Sequence, residues 1–398
     1  MKTERSQELL VRAQKVIPEQ TFTFAKAAHN YPAGSPAYVT RGFGCELIDV
    51  DGNRLLDYTM ALGPMILGYA YPRVTTAVAA QLEQGTVYSL PHEIEVQLAE
   101  EMVRTIPCAE KVRFYKNGAD VTSMAIRVAR SATGRRHILQ SGYHGHDDWY
   151  AFLLRDRGVL PETKLYTHPF AYNDLAGVTS LVDSLSGDVA AIILETAFEL
   201  PRGTFLQDLR DLCTKRGIVL IFDEMWTGFR LRLGGLQEYV GVTPDLATFS
   251  KAMANGFPIA ALTGSAAIMD EFKNVWGFTT FAGETLSIRA ALETIAELRE
   301  RPVHDHIGSL GARLRADLQE AIDARNLEDT LVLEGFDCRF RLAAKLNAND
   351  VKAHLQRQFL DDGILWNTQF VLSYSHQQKH IERTVASFTR ALDTLPRA

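Results

Sequence analysis

Four places in the sequence put residues able to do chemistry directly after short apolar runs. Asp223 closes the run Ile218-Val219-Leu220-Ile221-Phe222 and is followed by Glu224. A carboxylate emerging from an apolar strand is costly unless a cation or several donors meet it. Taken alone, an N-cap or a structural ion pair accounts for it. Ser250-Lys251 follows Ala247-Thr248-Phe249 and precedes Ala252-Met253-Ala254-Asn255-Gly256. A lysine among small residues at a strand end can be partly desolvated, which turns its amine into a nucleophile. Most lysines are instead exposed and inert.

Asn117-Gly118-Ala119-Asp120 joins an apolar run to a helical pattern. Gly118 and Ala119 at a helix start leave backbone N–H groups free, a natural seat for a phosphate. Asp120 would repel that phosphate, so it is expected to turn away and cap the helix; an ordinary turn is the plain alternative. Gly142-Tyr143-His144-Gly145-His146 follows His137-Ile138-Leu139-Gln140. Its rings could stack on a flat ligand. His144 and His146 are spaced for zinc, but no cysteine lies near them and such pairs are more often structural, so no metal is expected. Individually these are weak signals. Together they describe an amine, a buried carboxylate, a phosphate seat and a stacking ring, which is what pyridoxal 5'-phosphate (PLP) requires.

The elements expected to position these residues alternate in type. Helical spacing of Leu98, Met102, Val103 and Ile106 predicts a helix over His92 to Ile106. Runs at Val112–Tyr115, Val189–Leu194, Ile218–Phe222 and Leu246–Phe249 predict strands. Two of them are continuously apolar, as in a parallel sheet covered on both faces by helices. In such sheets ligands collect at the carboxyl ends of the strands, where all four features lie. Asp51-Gly52 predicts a hairpin turn, and a helix is expected from Glu8 to Val16. A long helical stretch is read from Glu284 to about Arg325, then a β-like segment at Leu331 to Leu342 and two further helices. The fold class is therefore α/β. The reading divides the chain into an N-terminal segment (1–60), a large domain (61–290) and a C-terminal part (291–398), the two ends forming one smaller α+β domain.

Composition bounds the rest. The 398 residues are 46% hydrophobic and 23% charged, with a formal charge of −6. That supplies a sizeable core and excludes a disordered chain. It also lacks the basic field that nucleic acid or an anionic membrane surface would need. No apolar run reaches the ~18 residues of a membrane span, the first residues show no secretory signal, and the four cysteines form no CxxC pair. A cytoplasmic protein is expected.

The same stretches resemble the class III aminotransferases of PLP fold type I, and within them the glutamate-1-semialdehyde aminomutase-like group. The resemblance rests on Leu47 to Asn53, Gly63 to Pro72, Asn117 to Asp120, Tyr143-His144-Gly145, Phe222 to Arg230 and Ser250 to Gly256. It runs from about residue 8 to 395, including the 28-residue step from Asp223 to Lys251. It implies the type I fold, with a mostly parallel seven-stranded sheet. It further implies Lys251 as Schiff-base lysine, Asp223 as partner of the pyridine nitrogen, Gly118 and Ala119 as phosphate turn, and Tyr143 as stacking ring. His144 and Glu195 would lie near the cofactor. Thr280 would reach the phosphate of a neighbouring subunit, implying a homodimer.

Several positions depart from the family pattern. Ala119 brings no hydroxyl to the phosphate turn, Thr196 replaces proline after Glu195, and Gly283-Glu284-Thr285 replaces Gly-Asn-Pro. Lys26 stands where the aminomutases carry a substrate-binding arginine, and Ala61-Leu62 replaces Ser-Trp. Lysine lacks arginine's planar fork for a carboxylate. These departures favour an aminotransferase working between a small-molecule amino donor and a carbonyl acceptor, with the intramolecular aminomutase as the alternative. A non-catalytic PLP-binding protein is disfavoured by having both Lys251 and Asp223, and a Rossmann dehydrogenase by the lack of an early GxGxxG. Arg230, Arg202, Lys26, Trp226 and Glu199 are further candidates for a substrate pocket.

Overall fold

The computed structural model describes residues 1–345 and 347–395. The chain divides into two compact units: Met1–Pro72 with Pro302–Ala398, and Arg73–Arg301. Both boundaries fall somewhat further along the chain than the positions read from sequence.

The smaller unit begins with α1 (Glu4–Gln14), which starts and ends earlier than the helix read at Glu8 to Val16. Strands β1 (Val39–Phe43), β2 (Glu46–Asp49) and β3 (Arg54–Asp57) follow as an antiparallel meander. The β2–β3 hairpin turns at Gly52, whose φ of 84° is the left-handed conformation expected there.

The larger unit contains α2 (Pro72–Leu82, of which Pro72 belongs to the smaller unit), α3 (Glu93–Thr105), β4 (Lys111–Tyr115), α4 (Gly118–Thr133), β5 (His137–Ser141), α5 (Asp148–Ala151) and β6 (Thr167–Pro169). It continues with α6 (Leu175–Ser184), β7 (Val189–Glu195), α7 (Phe205–Arg216), β8 (Val219–Asp223), α8 (Leu236–Val240), β9 (Leu246–Phe249), β10 (Ala260–Gly264), α9 (Ala266–Met269) and α10 (Thr285–Glu300). Its seven strands form one sheet in the order β4-β10-β9-β8-β7-β5-β6. Only β10 runs against the others, pairing antiparallel with both β4 and β9. The sheet is α/β and mostly parallel, as the sequence implied. Neither β10 nor β6 was among the strands read from sequence: Ala260-Ala261 and the three-residue β6 carry little β-branched signal.

Every residue of β7 and β8 is buried, including the terminal Glu195 and Asp223. One face of the sheet packs on α4: Ile193, Ile221, Leu246 and Leu262 join Val121, Met124, Ala125 and Val128 in one apolar cluster. Burying each of the larger side chains stabilises the fold by roughly 1.5–3 kcal/mol. That anchors α4, and with it the Asn117–Asp120 turn at its start. In α3, Leu98 and Met102, with Ile106 just past its end, are buried as the spacing predicts, whereas Val103 is exposed.

The rest of the smaller unit comprises α11 (Val303–Asp323), β11 (Leu331–Phe336), β12 (Arg339–Ala344), α12 (Ala348–Asp361), β13 (Ile364–Leu365), β14 (Gln369–Val371) and α13 (Gln378–Asp393). The helical stretch read from Glu284 to Arg325 is thus two helices. Pro302 explains the break: its ring cannot follow the last turn of α10 and offers no N–H. Strand β13 adds in parallel to β3, and β11, β12 and β14 form a separate sheet.

Candidate active site

The chemistry-bearing residues gather where β7, β8 and β9 end. Glu195 lies opposite Asp223 in the β7–β8 ladder, and Asp223 opposite Thr248 in the β8–β9 ladder. Side chains in register on adjacent strands share a face, so these three form a polar row. Their strands' inner neighbours, Ile193, Ile221 and Leu246, sit in the cluster under α4. The row therefore lies on the α4 side of the sheet.

Asp223 is 2% exposed, so its carboxylate has to be compensated inside the protein. Its Oδ1 accepts the Met225 N–H at 3.0 Å, and its Oδ2 lies 2.7 Å from His144 Nδ1. The other ring nitrogen of His144 lies 3.1 Å from the Ser141 carbonyl. Both nitrogens thus face oxygens, and the ring is held between the Asp223 carboxylate and the Ser141 carbonyl. The ring also stacks on Trp149 at 6.0 Å between centroids. The side chains of His144 and Asp223 are both fully buried.

Asp120 reaches back to cap the start of α4, as expected. Asn117 Oδ1 accepts the Asp120 N–H at 3.1 Å, and Asp120 Oδ2 accepts the Asn117 N–H at 3.3 Å and its side-chain amide at 2.8 Å. This reciprocal cap meets two first-turn needs and leaves Gly118 and Ala119 with N–H groups that have no partner inside the helix. The turn is held close to its surroundings. A Cβ on Gly145, whose φ is 114°, would lie 2.7 Å from the Ala119 Cβ, and one on Gly118 would meet Met225 Sδ at 3.0 Å.

Tyr143 is half exposed, its ring edge-on to Tyr150 at 5.6 Å. Its N–H donates to Glu195 Oε2 at 3.1 Å, and a Cβ on Gly142 would collide with Glu195 Cβ at 2.6 Å. Burial, with the carboxylates of Glu195 and Asp223 adding to it, pushes the Tyr143 phenol above its ordinary range. Tyr150 rises to about 12 for the same reasons, with Tyr143 contributing. Both phenols therefore remain neutral donors at physiological pH.

Lys251 opens a short turn after β9 with φ of 42°, a left-handed conformation that is uncommon and costly for a side-chain-bearing residue. Its Nζ lies 3.7 Å from the centroid of the Trp226 ring, within range of a cation–π contact. Trp226 is carried by the loop after β8, and Glu224 ties that loop down. Its buried carboxylate accepts the Leu236 N–H at 2.7 Å, the Gln237 N–H at 3.1 Å and the Thr227 hydroxyl. Glu224 is thereby spent on structure, whereas its neighbour Asp223 points at the row.

The other candidates have their own surroundings. Thr280 is exposed on a segment beside a groove of about 1040 Å³ that Val87, Leu90 and Val103 also line. Arg202 pairs with Glu199 at 3.3 Å, and both are well exposed. Arg230 is buried. Lys26 lies in the smaller unit, lining a cavity with Tyr31, Asp57 and Tyr69. Among the described residues no cluster of three or more His, Cys, Asp or Glu is placed to hold a metal, and no helix is long and apolar enough to cross a membrane. Sequence reading did not single out Thr248, which joins the row opposite Asp223. Its strand-end position, two residues past Leu246 and three before Lys251, was the available signal.

The donor set fits PLP: a carboxylate for a pyridine nitrogen, an amine for an aldehyde, and helix N–H groups for a phosphate. Comparison with known proteins points the same way. The glutamate-1-semialdehyde 2,1-aminomutase of Methanothermobacter thermautotrophicus is 34% identical over 98% of this chain and 99% of its own. That of Chloroherpeton thalassium is 40% identical over 74% of this chain and 73% of its own. Among solved structures, the PLP internal aldimine form of the Sphingopyxis sp. MTA144 FumI protein superposes with a TM-score of 0.92 at 28% identity, covering 98% of this chain and 96% of that one. An omega-transaminase from Sphaerobacter thermophilus does so at 0.89 and 27%, covering 98% and 97%. The aminotransferase class-III family pattern matches residues 27–392. A match across nearly the whole chain places the protein in the class III aminotransferase family, enzymes of PLP fold type I that work with pyridoxal phosphate.

Proposed function

We propose that the protein uses PLP to relocate an amino group within one small substrate, an aminomutase-type isomerisation. The observation that carries the chemistry is the buried Asp223–His144 pair in register with the strand that leads to Lys251. The identity of 34–40% with proteins named glutamate-1-semialdehyde 2,1-aminomutase supports the intramolecular form. When bound, PLP supplies an electron sink that allows a proton to leave the carbon bearing the amine.

The residues of this chain do the rest. Asp223, positioned by the His144 ring, would hold a proton on the cofactor's pyridine nitrogen through a charge-assisted hydrogen bond. Gly118 and Ala119 offer their N–H groups to the phosphate. Tyr143 covers one ring face, with Glu195 fixing its backbone. Lys251 holds the cofactor until substrate arrives, then moves the proton between carbons as base and acid. Thr280 reaches the phosphate of a neighbouring copy, so the working form is a homodimer. The apolar exposure of Leu90, Trp276 and Phe278 supports such a second copy.

A second reading, transfer between separate amino donor and carbonyl acceptor, is favoured by Lys26 and Ala61-Leu62 in place of the aminomutase residues, and by the likeness to an omega-transaminase. The deciding experiment offers the loaded enzyme amino acids, diamines, amino aldehydes and amino sugars one at a time. An isomerase turns over a single compound repeatedly. A transferase bleaches the visible cofactor band once and recovers only when a carbonyl acceptor is added. Borohydride treatment and peptide mapping locate the amine that holds the cofactor, and a pyridoxyl tag on any lysine but Lys251 overturns the assignment.

A further inference from the structure

One hydroxyl in the polar row has no partner. Thr248 is 0% exposed, and its Oγ1 meets no donor or acceptor among the described residues. A buried hydroxyl ordinarily finds a partner, because leaving it unpaired forfeits its hydration for nothing. Its neighbours follow that rule: Thr263 Oγ1 donates to the Ala247 carbonyl at 3.3 Å, Ser250 Oγ to the Ile259 carbonyl at 2.7 Å, and Thr122 Oγ1 to the His144 carbonyl at 2.7 Å. The rest of β9 is Leu246, Ala247 and Phe249, so an apolar residue of the same shape would suit the core at least as well.

Position supplies the explanation. Thr248 stands opposite Asp223 in the ladder and three residues ahead of Lys251. It shares the α4 side of the sheet with Asp223, since Leu246 and Ile221 beneath them pack into one cluster. A ligand that meets both Asp223 and Lys251 has to cover this strand end. Building on the PLP reading above, we propose that Thr248 is a cofactor-anchoring residue, its hydroxyl receiving its missing hydrogen-bond partner from bound PLP.

The proposal makes the hydroxyl a burden to the empty enzyme and an asset to the loaded one. Replacing it with the isosteric Thr248→Val should therefore act in opposite directions in the two states. Thermal unfolding of the cofactor-free variant should begin no lower than wild type, and up to a few degrees higher. Titration with PLP, followed by its visible absorbance, should show affinity about three- to tenfold weaker, the loss of one neutral hydrogen bond. Thr248→Ser, which keeps the hydroxyl, should restore affinity to within about twofold. Thr248→Val that binds PLP as tightly as wild type overturns the proposal. So does a variant destabilised equally with and without cofactor, because that is the mark of a structural hydroxyl. Failure of the wild-type chain to take up PLP at all is a different result: it overturns the cofactor reading itself, and this proposal with it.

Discussion

Two buried aspartates end strands in the two units, and they serve different ends. Asp57 closes β3 in the smaller unit; Asp223 closes β8 in the larger. Asp57 is met by neutral donors: the Thr59 N–H at 2.7 Å, the Met60 N–H at 3.1 Å and the Tyr69 hydroxyl at 2.6 Å. Burial pushes its carboxyl above the ordinary range despite those bonds. Asp223 has one backbone donor and an imidazole. A neutral shell holds a carboxylate in place without requiring its charge. An imidazole is a partner that can share a charge with the carboxylate it meets at the strand end. Equal burial therefore does not make equal function; the chemistry of the partner decides.

The largest expected effect tests the amine this carboxylate is meant to serve. Lys251→Ala should abolish turnover, to below about a thousandth of wild type or some 4 kcal/mol of transition-state stabilisation, while PLP still binds through the α4 seat. Steady-state assays with equilibrium dialysis of PLP check both halves, and normal turnover would remove Lys251 from the mechanism.

The next prediction sets the two aspartates directly against each other. Asp223→Asn should lower kcat by two to three orders of magnitude, about 3–4 kcal/mol, with little change in melting temperature. Asp57→Asn should do the reverse, costing about 1–3 kcal/mol of stability with kcat within a few-fold of wild type. Paired kinetics and denaturant melts read this out, and equal kinetic losses in both variants would erase the distinction.

A smaller effect appears in pH. Because the folded-state pKa of Asp57 is raised, the folded protein holds a proton that the unfolded chain releases. Its contribution to stability is present below the ordinary aspartate value of about 4 and is lost as pH rises through the folded value. Asp57→Asn should flatten that decline. His376 acts oppositely. Burial holds it near 3, so stability falls as pH drops from about 6.5 toward that value. His376→Gln should soften the acid limb, as measured by urea midpoints across pH 3–7.

Smallest of all, Arg202→Ala should leave turnover within about twofold, since an exposed pair is worth about 0–1 kcal/mol. A larger loss would bring Arg202 into the pocket after all.

Much of this was legible in the chain. The apolar runs ending in Glu195 and Asp223 read as buried parallel strands because a strand covered on both faces has no use for alternation. That Asp120 would turn to cap its helix was readable, since capping is local in sequence; that Asn117 caps in return came from the structure. Three things were not. Strand β10 is short, with two alanines, and exists because β4 and β9 lie on either side to pair with it. The split between α10 and α11 was hidden by a helical periodicity that continues through Pro302. That His144 would pair with Asp223, 79 residues further along the chain, had no local signal.

By itself the sequence determined which side chains the strand ends carry, because burial and turn chemistry act over a few residues. It also determined that a carboxylate at the end of one parallel strand and an amine just past the end of the next lie 28 positions apart. Only the tertiary structure decided what each of them faces. Whether Asp223 meets an imidazole, whether Trp226 lies under the Lys251 amine, and whether Thr248 is left unpaired all depend on register and packing between strands. Those contacts join residues distant in the chain, and no local propensity specifies them.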